Sequence, residues 1–203
     1  MNEYINLNKM LERLELVKKL PETKSGTYLH VGCGVQIIPG FINIDKYEKH
    51  EQVLNLDMYQ LPFTNIEAIY SSHSLEHLPY RLARLALINW GNMLCKGGKV
   101  FLAIPDLEET MRILLDPNMD NHFKWGWYIY TLFGYQVDTA KYPLNNPEAN
   151  RLDLPTDPGQ FHQCGFTKDS ITMFLQEAGL TVTEIFSYDG WSTPSLWVEA
   201  IKN

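Results

Sequence analysis

Short, unbroken apolar runs alternate along this chain with stretches in which apolar residues recur every third or fourth position. The first pattern belongs to strands buried on both faces, the second to helices with one packed face. "GTYLHVG", "FINID", "EQVLNLD" ending at Asp57, and "IEAIYSSHS" near 66–71 read as four successive strands. Residues 99–104 within "CKGGKVFLAIPD", then "TVTEIFSYD" and "SLWVEAIK", bring the number to seven. Helices are predicted over residues 5–20, where Leu7, Met10, Leu11, Leu14 and Val17 share a face and Pro21 ends the run. A second runs from about Pro79 to Leu94, with Leu82, Leu85, Ala86 and Met93 inward. A third is capped by Thr167 and ends at Ala178 before Gly179.

Strands alternating with helices indicate an α/β chain with a doubly wound, Rossmann-like, seven-stranded sheet. "GWSTP" is too short for a parallel crossover, so the last two strands form an antiparallel hairpin at one end of the sheet. The link Val35–Gly40 is also short, leaving room for at most a helical turn. Residues 107–166 break the pattern and carry Phe123, Trp125, Trp127, Tyr128, Tyr130, Phe133 and Tyr135. A segment of that length reads either as a lid or as an accessory helix packed on the domain. The whole, 1–203, is expected to be one domain, with an N-terminal helix in residues 1–20.

Composition narrows the function classes. Hydrophobic residues make up 45% and charged residues 20%, as in an ordinary globular protein. A net charge of −7 with no Lys/Arg-rich run argues against nucleic acid as a partner. No apolar run reaches the roughly 18 residues of a membrane span. Cys33, Cys95 and Cys164 are too few and scattered for a disulfide framework, which fits a reducing cytoplasm.

Candidate chemistry gathers at the carboxyl ends of the first four strands, where open α/β sheets bind ligands. Gly32 and Gly34 remove side chains from a turn. Asp45 ends the second strand and can accept from ribose hydroxyls, unless it serves as a turn or cap residue. Asp57 is placed to accept from an adenine amino group, and Ser71, Ser72 and His73 close the fourth strand. A dinucleotide fingerprint requires a third glycine and an acid about 20 residues on. This chain has Gln36 at the glycine position and Asp45 only 11 residues beyond Gly34. The walls therefore suit a nucleoside better than a pyrophosphate, and a nicotinamide oxidoreductase is disfavoured.

"YLHVGCG", "GFINIDKY", "NLDMYQLPF", "AIYSSHSLEHLP" and "MLCKGGKVFLAIPDL" together resemble the successive motifs of class I S-adenosylmethionine-dependent methyltransferases. The likeness is strongest to the small type 11-like subgroup, some members of which accompany sugar and polysaccharide genes. "FHQCGFTKDSITMFLQEAGL" resembles that subgroup's late motif. The resemblance spans about residues 28–106 and 161–201 and implies S-adenosyl-L-methionine as cofactor. It implies that Gly32, Cys33 and Gly34 line the methionine part and Asp45 holds the ribose. By the same resemblance, Asp57 and Met58 meet adenine, and Ser72 and His73 lie beside the sulfonium. His30 stands where many relatives have an acid; it either orients the amino-acid end of the cofactor or simply packs.

Transfer to a hydroxyl requires a base. His73, Glu76 and His162 are the candidates, and on a helical turn over 73–78, His73, Glu76 and His77 would share a face. Glu76 and His77 bracing a loop, and His162 in a structural hydrogen bond, are the alternatives. Three histidines and a glutamate can bind zinc, but no HExxH or comparable spacing occurs, so no metal is expected. Cys33 has no activating partner in the sequence and reads as a small residue in the turn. The expected function is methyl transfer to a small-molecule or glycan acceptor. The alternative is a cofactor-binding but non-catalytic or repurposed protein of the same fold. The aromatic segment leaves a homodimer open.

Overall fold

A computed structural model describes residues 27–121, 128–134, 158–190 and 193–203. The helix expected over 5–20 and the aromatic residues Phe123, Trp125, Trp127 and Tyr135 lie outside them. Seven strands form one sheet: β1 (Tyr28–Val31), β2 (Ile42–Ile44), β3 (Val53–Leu54), β4 (Ile66–Ser72), β5 (Leu94–Pro105), β6 (Leu180–Gly190) and β7 (Thr193–Lys202). Their order is β3-β2-β1-β4-β5-β7-β6. β7 runs antiparallel to both β5 and β6, and the other neighbours are parallel. The α/β class, the strand number and the terminal hairpin agree with the sequence pattern.

Four helices are described: α1 (Tyr80–Met93), α2 (Leu107–Leu115), α3 (Ile129–Phe133) and α4 (Lys168–Glu177). α1 turns Ala83, Ala86, Leu87 and Trp90 inward, and α4 adds Ile171, Phe174 and Leu175. These pack on Leu29, Val31, Ile44, Ile69, Val100 and Leu102 of the sheet. The second cluster gathers Tyr28, Phe41, Ala68, Tyr70, Phe101 and Trp197. α4 opens as expected on Thr167, whose hydroxyl accepts from the Ser170 amide while Ser170 reaches back to the Thr167 amide. None of the described helices is long and apolar enough to cross a membrane.

Three boundaries differ from the sequence reading. β3 stops at Leu54, so Asp57 lies beyond the strand rather than at its end. Only Val53 and Leu54 find partners on β2, because Asn55 turns away to bond the Asp45 and Glu48 carbonyls. β5 begins at Leu94, paired with Ile66 ahead of a register shift. The segment after β5 starts as an ordinary helix, α2, because the Asp106 carboxylate caps the Glu109 amide at 3.0 Å.

The link from β1 to β2 contains no helix. A side chain holds it instead. Asn43 Oδ1 accepts from the Ile38 amide at 3.0 Å, and Asn43 Nδ2 donates to the Ile38 and Phe41 carbonyls at 3.1 and 3.2 Å. His30, its Cα partner on β1, donates from Nδ1 to the same Oδ1 at 3.2 Å. Asn43 is 4% exposed, so these groups have no exchange with water to fall back on. Asn43→Leu keeps the volume but strands the Ile38 amide and removes the bond from His30 Nδ1. A loss of roughly 2–3 kcal/mol in denaturant unfolding is expected, being the desolvation cost of such groups. A change below a few tenths would show that the link does not depend on this staple.

Candidate active site

The strand order reverses between β1 and β4, which run side by side from one turn to another. The cleft outside their carboxyl ends is the place where such sheets take a ligand. On the β1 side, Gly32 and Gly34 both have positive φ, +69° and +49°. Their reasons differ. A Cβ on Gly32 would lie 2.3 Å from Ser74 Cβ, whereas one on Gly34 would meet nothing within 4 Å among the described residues. Gly32 is thus required by packing, and Gly34 borders open space.

Asp45 follows β2 and wraps its carboxylate in main-chain amides. Oδ2 accepts from Gly34 at 3.0 Å, and Oδ1 accepts from Tyr47 at 2.8 Å and Glu48 at 3.1 Å. A carboxylate has about four acceptor positions, so one remains on Oδ2. Asp57 pairs with Lys46 Nζ at 2.8 Å. Met58 stands close by, its Cε 3.6 Å from where a Gly32 Cβ would be, and its carbonyl accepts from Trp90 Nε1 at 2.8 Å.

Two of the turn's neighbours are core residues rather than cleft groups. Cys33 is buried and donates its thiol to the Gly34 carbonyl at 3.3 Å. Burial, and then the nearby Asp45 charge, push that thiol up to about 12, which removes it as a nucleophile. His30 is 2% exposed and stacks on Tyr70 at 5.1 Å, within the packed sheet. Of the two readings of His30, the structure shows packing.

The β4 side carries the histidines. Ser72 Oγ is buried without a hydrogen-bond partner at the strand's end. His73 has a left-handed backbone, φ +48°, held by its amide bonding the Ala103 carbonyl at 2.8 Å. Non-glycine residues there are uncommon and cluster at functional sites. Its Nδ1 lies 3.5 Å from Glu76 Oε1, and its Nε2 lies 3.4 Å from Ser195 Oγ. The first separation is an electrostatic contact, longer than a good hydrogen bond to a carboxylate. Ser74 bonds Ser71 Oγ at 2.6 Å and reaches the Val31 carbonyl at 3.4 Å, and its side chain fills the space beside Gly32. The segment 72–74 therefore touches the glycine turn on one side and leads into the histidine cluster on the other.

A 3-10 turn, Leu75–His77, follows and places Glu76 inside the protein at 1% exposure. The chain at 161–164 clamps it. The Gln163 and Cys164 amides both donate to the Glu76 carbonyl, at 2.8 and 3.2 Å. Gln163 Nε2 donates to the His77 carbonyl at 2.8 Å. This brings His162 Nε2 to 4.0 Å from Glu76 Oε1, with the His77 and His162 rings edge to face at 4.9 Å. Burial alone would raise the Glu76 carboxyl, but His73 and then His162 and His77 outweigh it and hold it at about 2. His162 moves down from its ordinary value because burial penalises its charged form more than Glu76 favours it.

The structure thus places His73 and His162 on either side of Glu76, although His162 is 86 residues from Glu76. Next to them is a cleft of about 190 Å³, lined among others by Pro105, Leu107, Thr131, Phe133 and His162. A larger, shallow hollow of about 560 Å³ lies at the amino-terminal ends of β4 and β5, by Glu67, Cys95 and Lys99, at the opposite end of these strands from this chemistry. Ser195 and Asn43 were missed by sequence reasoning. Asn43 had a signal: it faces His30 across adjacent strands, a polar pair at one level of two apolar runs.

No family model matches the sequence, and no curated protein matches it. Solved structures do. One is a Listeria monocytogenes protein assigned as an S-adenosylmethionine-dependent methyltransferase, with TM-score 0.54, 14% identity, and coverage of 95% of this chain and 98% of that one. Another is the magnesium protoporphyrin IX methyltransferase of Synechocystis PCC 6803 with bound SAH, with TM-score 0.55, 13% identity, and coverage of 97% and 82%. A third is a Haloferax volcanii methyltransferase solved with its Trm112 activator, with TM-score 0.56, 12% identity, and coverage of 93% and 87%. At these identities the likeness establishes the fold, which is that of the S-adenosylmethionine-dependent methyltransferases.

Proposed function

We propose that the protein is an S-adenosylmethionine-dependent methyltransferase that acts on a small-molecule or glycan acceptor. The observation that carries this reading is the 72–74 segment, which joins a glycine turn and ribose-type acid to a cluster of half-buried histidines around the buried Glu76. The residues present fit the cofactor. Among the described residues, Gly34 borders open space, Asp45 keeps one acceptor position for a ribose hydroxyl, and Ser72 Oγ has no partner. Asp57 and Met58 lie on the side where adenine would rest. Cys33 contributes its main chain only.

S-adenosylmethionine supplies a methyl group already activated on a sulfonium. The chain's part is to align an acceptor and to take its proton if it is a hydroxyl. His73 is the proposed base: Glu76 stands behind Nδ1, and Nε2 faces Ser195. Glu76 gives the imidazolium a counter-charge, and His162 forms the wall shared with the 190 Å³ cleft, the proposed acceptor site. A cytoplasmic location agrees with the three free thiols.

Calorimetry with S-adenosylmethionine and SAH, with NAD as control, tests the assignment. Micromolar binding of the sulfonium pair alone is the expected result, and the largely apolar cleft with Phe133 and His162 on its wall then directs an acceptor screen toward sugars and ring compounds. NAD binding with equal affinity would overturn it. A second reading has one observation in its favour: three amides already occupy Asp45. Cofactor binding without turnover across a broad acceptor panel would favour that non-catalytic reading.

A further inference from the structure

We propose that Glu76, His77 and His162 form a site for one divalent first-row transition cation, with zinc as the reference ion. One ligand atom from each of the three lies within 4.8 Å of the others. In a tetrahedral site with bonds of about 2.0–2.2 Å the ligand atoms stand roughly 3.3 Å apart, so binding draws the side chains inward.

The imidazoles are set up for this. His77 Nδ1 donates to the Phe161 carbonyl at 3.1 Å, and His162 Nδ1 donates to the Thr131 carbonyl at 2.9 Å. A carbonyl only accepts, so both Nδ1 atoms carry the hydrogen and both Nε2 atoms carry lone pairs. Histidine ligands are commonly fixed in this way, by a backbone carbonyl on the other nitrogen. The carboxylate supplies the second, independent observation. Glu76 is 1% exposed, and among the described residues neither of its oxygens has a hydrogen-bond donor. A buried carboxylate without donors stays ionised only beside positive charge, which the neighbouring histidines supply when protonated and a metal ion would supply in their place. Two imidazoles and one carboxylate suit zinc, cobalt, iron or manganese, whereas calcium and magnesium prefer all-oxygen sites.

Sequence spacing gave no hint of this site, since His162 enters 85 residues after His77. The clamp between 161–164 and the 3-10 turn makes the junction. Three protein ligands leave a fourth position, as in catalytic rather than structural sites. His162 also lines the acceptor cleft, so an acceptor oxygen can take that position, with His73 left outside the ligand set as base. This use of the ion rests on the methyl-transfer reading; the binding site does not.

The test is calorimetric titration of Zn²⁺ into the full chain after chelator treatment, with SAH titrated separately. One equivalent is expected. Glu76→Gln, His77→Ala and His162→Ala should each weaken it by about tenfold or more. His50→Ala, at an exposed histidine away from the cluster, should leave it unchanged. Co²⁺ in place of Zn²⁺ should give visible absorption of a four-coordinate nitrogen and oxygen site in the wild-type chain. That readout stands even if a variant fails to fold. Absence of Zn²⁺ binding by the wild-type protein, or equal binding by the folded variants, overturns the proposal. Zn²⁺ binding without SAH binding would instead remove the methyltransferase reading and leave the metal site; SAH binding alone would do the reverse.

Discussion

Gly32→Ala destabilises the folded chain by roughly 2–5 kcal/mol, the sum of a left-handed backbone penalty and an overpacked contact. Both causes are present at one atom. The backbone sits at φ +69°, and the added Cβ would lie 2.3 Å from Ser74 Cβ and 2.4 Å from Ser74 Oγ. Ser74 cannot retreat easily, being bonded to Ser71 and packed against the Val31 carbonyl. Gly34→Ala separates the two causes. It shares the positive φ but meets no atom within 4 Å, so only the backbone penalty of about 1–2 kcal/mol applies. Denaturant unfolding of the two variants measures the contrast. SAH titration should show the opposite emphasis: Gly34→Ala weakens the ligand out of proportion to its mild effect on stability. Equal stability losses would mean that Ser74 does not hold its place beside the turn.

Asp45→Ala should lower the affinity for SAH by on the order of 100-fold, since a charge-assisted hydrogen bond contributes roughly 1.5–3 kcal/mol and the surrounding loop loosens as well. The carboxylate is a scaffold as well as the proposed ligand group. It holds the Gly34, Tyr47 and Glu48 amides, and so ties the glycine turn to the segment after β2. Asp45→Asn distinguishes the roles. It keeps one oxygen for Tyr47 and Glu48 but presents an NH₂ to the Gly34 amide, donor against donor. Calorimetry on the three proteins, with melting temperatures alongside, should rank affinity as wild type, then Asn, then Ala. Undiminished SAH binding by Asp45→Ala would remove Asp45 from the site.

The seven strands were legible because each is an apolar run bounded by glycine, proline or acidic residues, and Thr167 and Gly179 marked α4 at both ends. What escaped the sequence has two physical sources. β1 is buried at all four positions, so its pattern gives no face, and His30 in the middle of it could be read as a site residue. β3 keeps only two paired residues, and the remainder of "EQVLNLD" follows side-chain bonds of Asn55 that no periodicity encodes. At the site, the glycine turn and Asp45 were visible because they are separated by 11 residues, with a fixed order along two strands. His162 beside Glu76 depends on the path of a long segment between them, and Ser195 beside His73 on the pairing of β5 with β7.

Those separations also order the assembly of the protein in time. Loop closure costs entropy in proportion to the logarithm of the length closed, and local contacts form ahead of distant ones. The Gly34–Asp45 bond spans 11 residues, within the helix-free link that Asn43 staples. His77 to Phe161 spans 84 residues, and His73 to Ser195 spans 122. The half of the cleft made by the glycine turn and Asp45 can therefore form while the last two strands are still unpaired, whereas the histidine half exists only once the sheet is complete. On the proposed function, the cofactor side of the cleft would then take shape before the acceptor side.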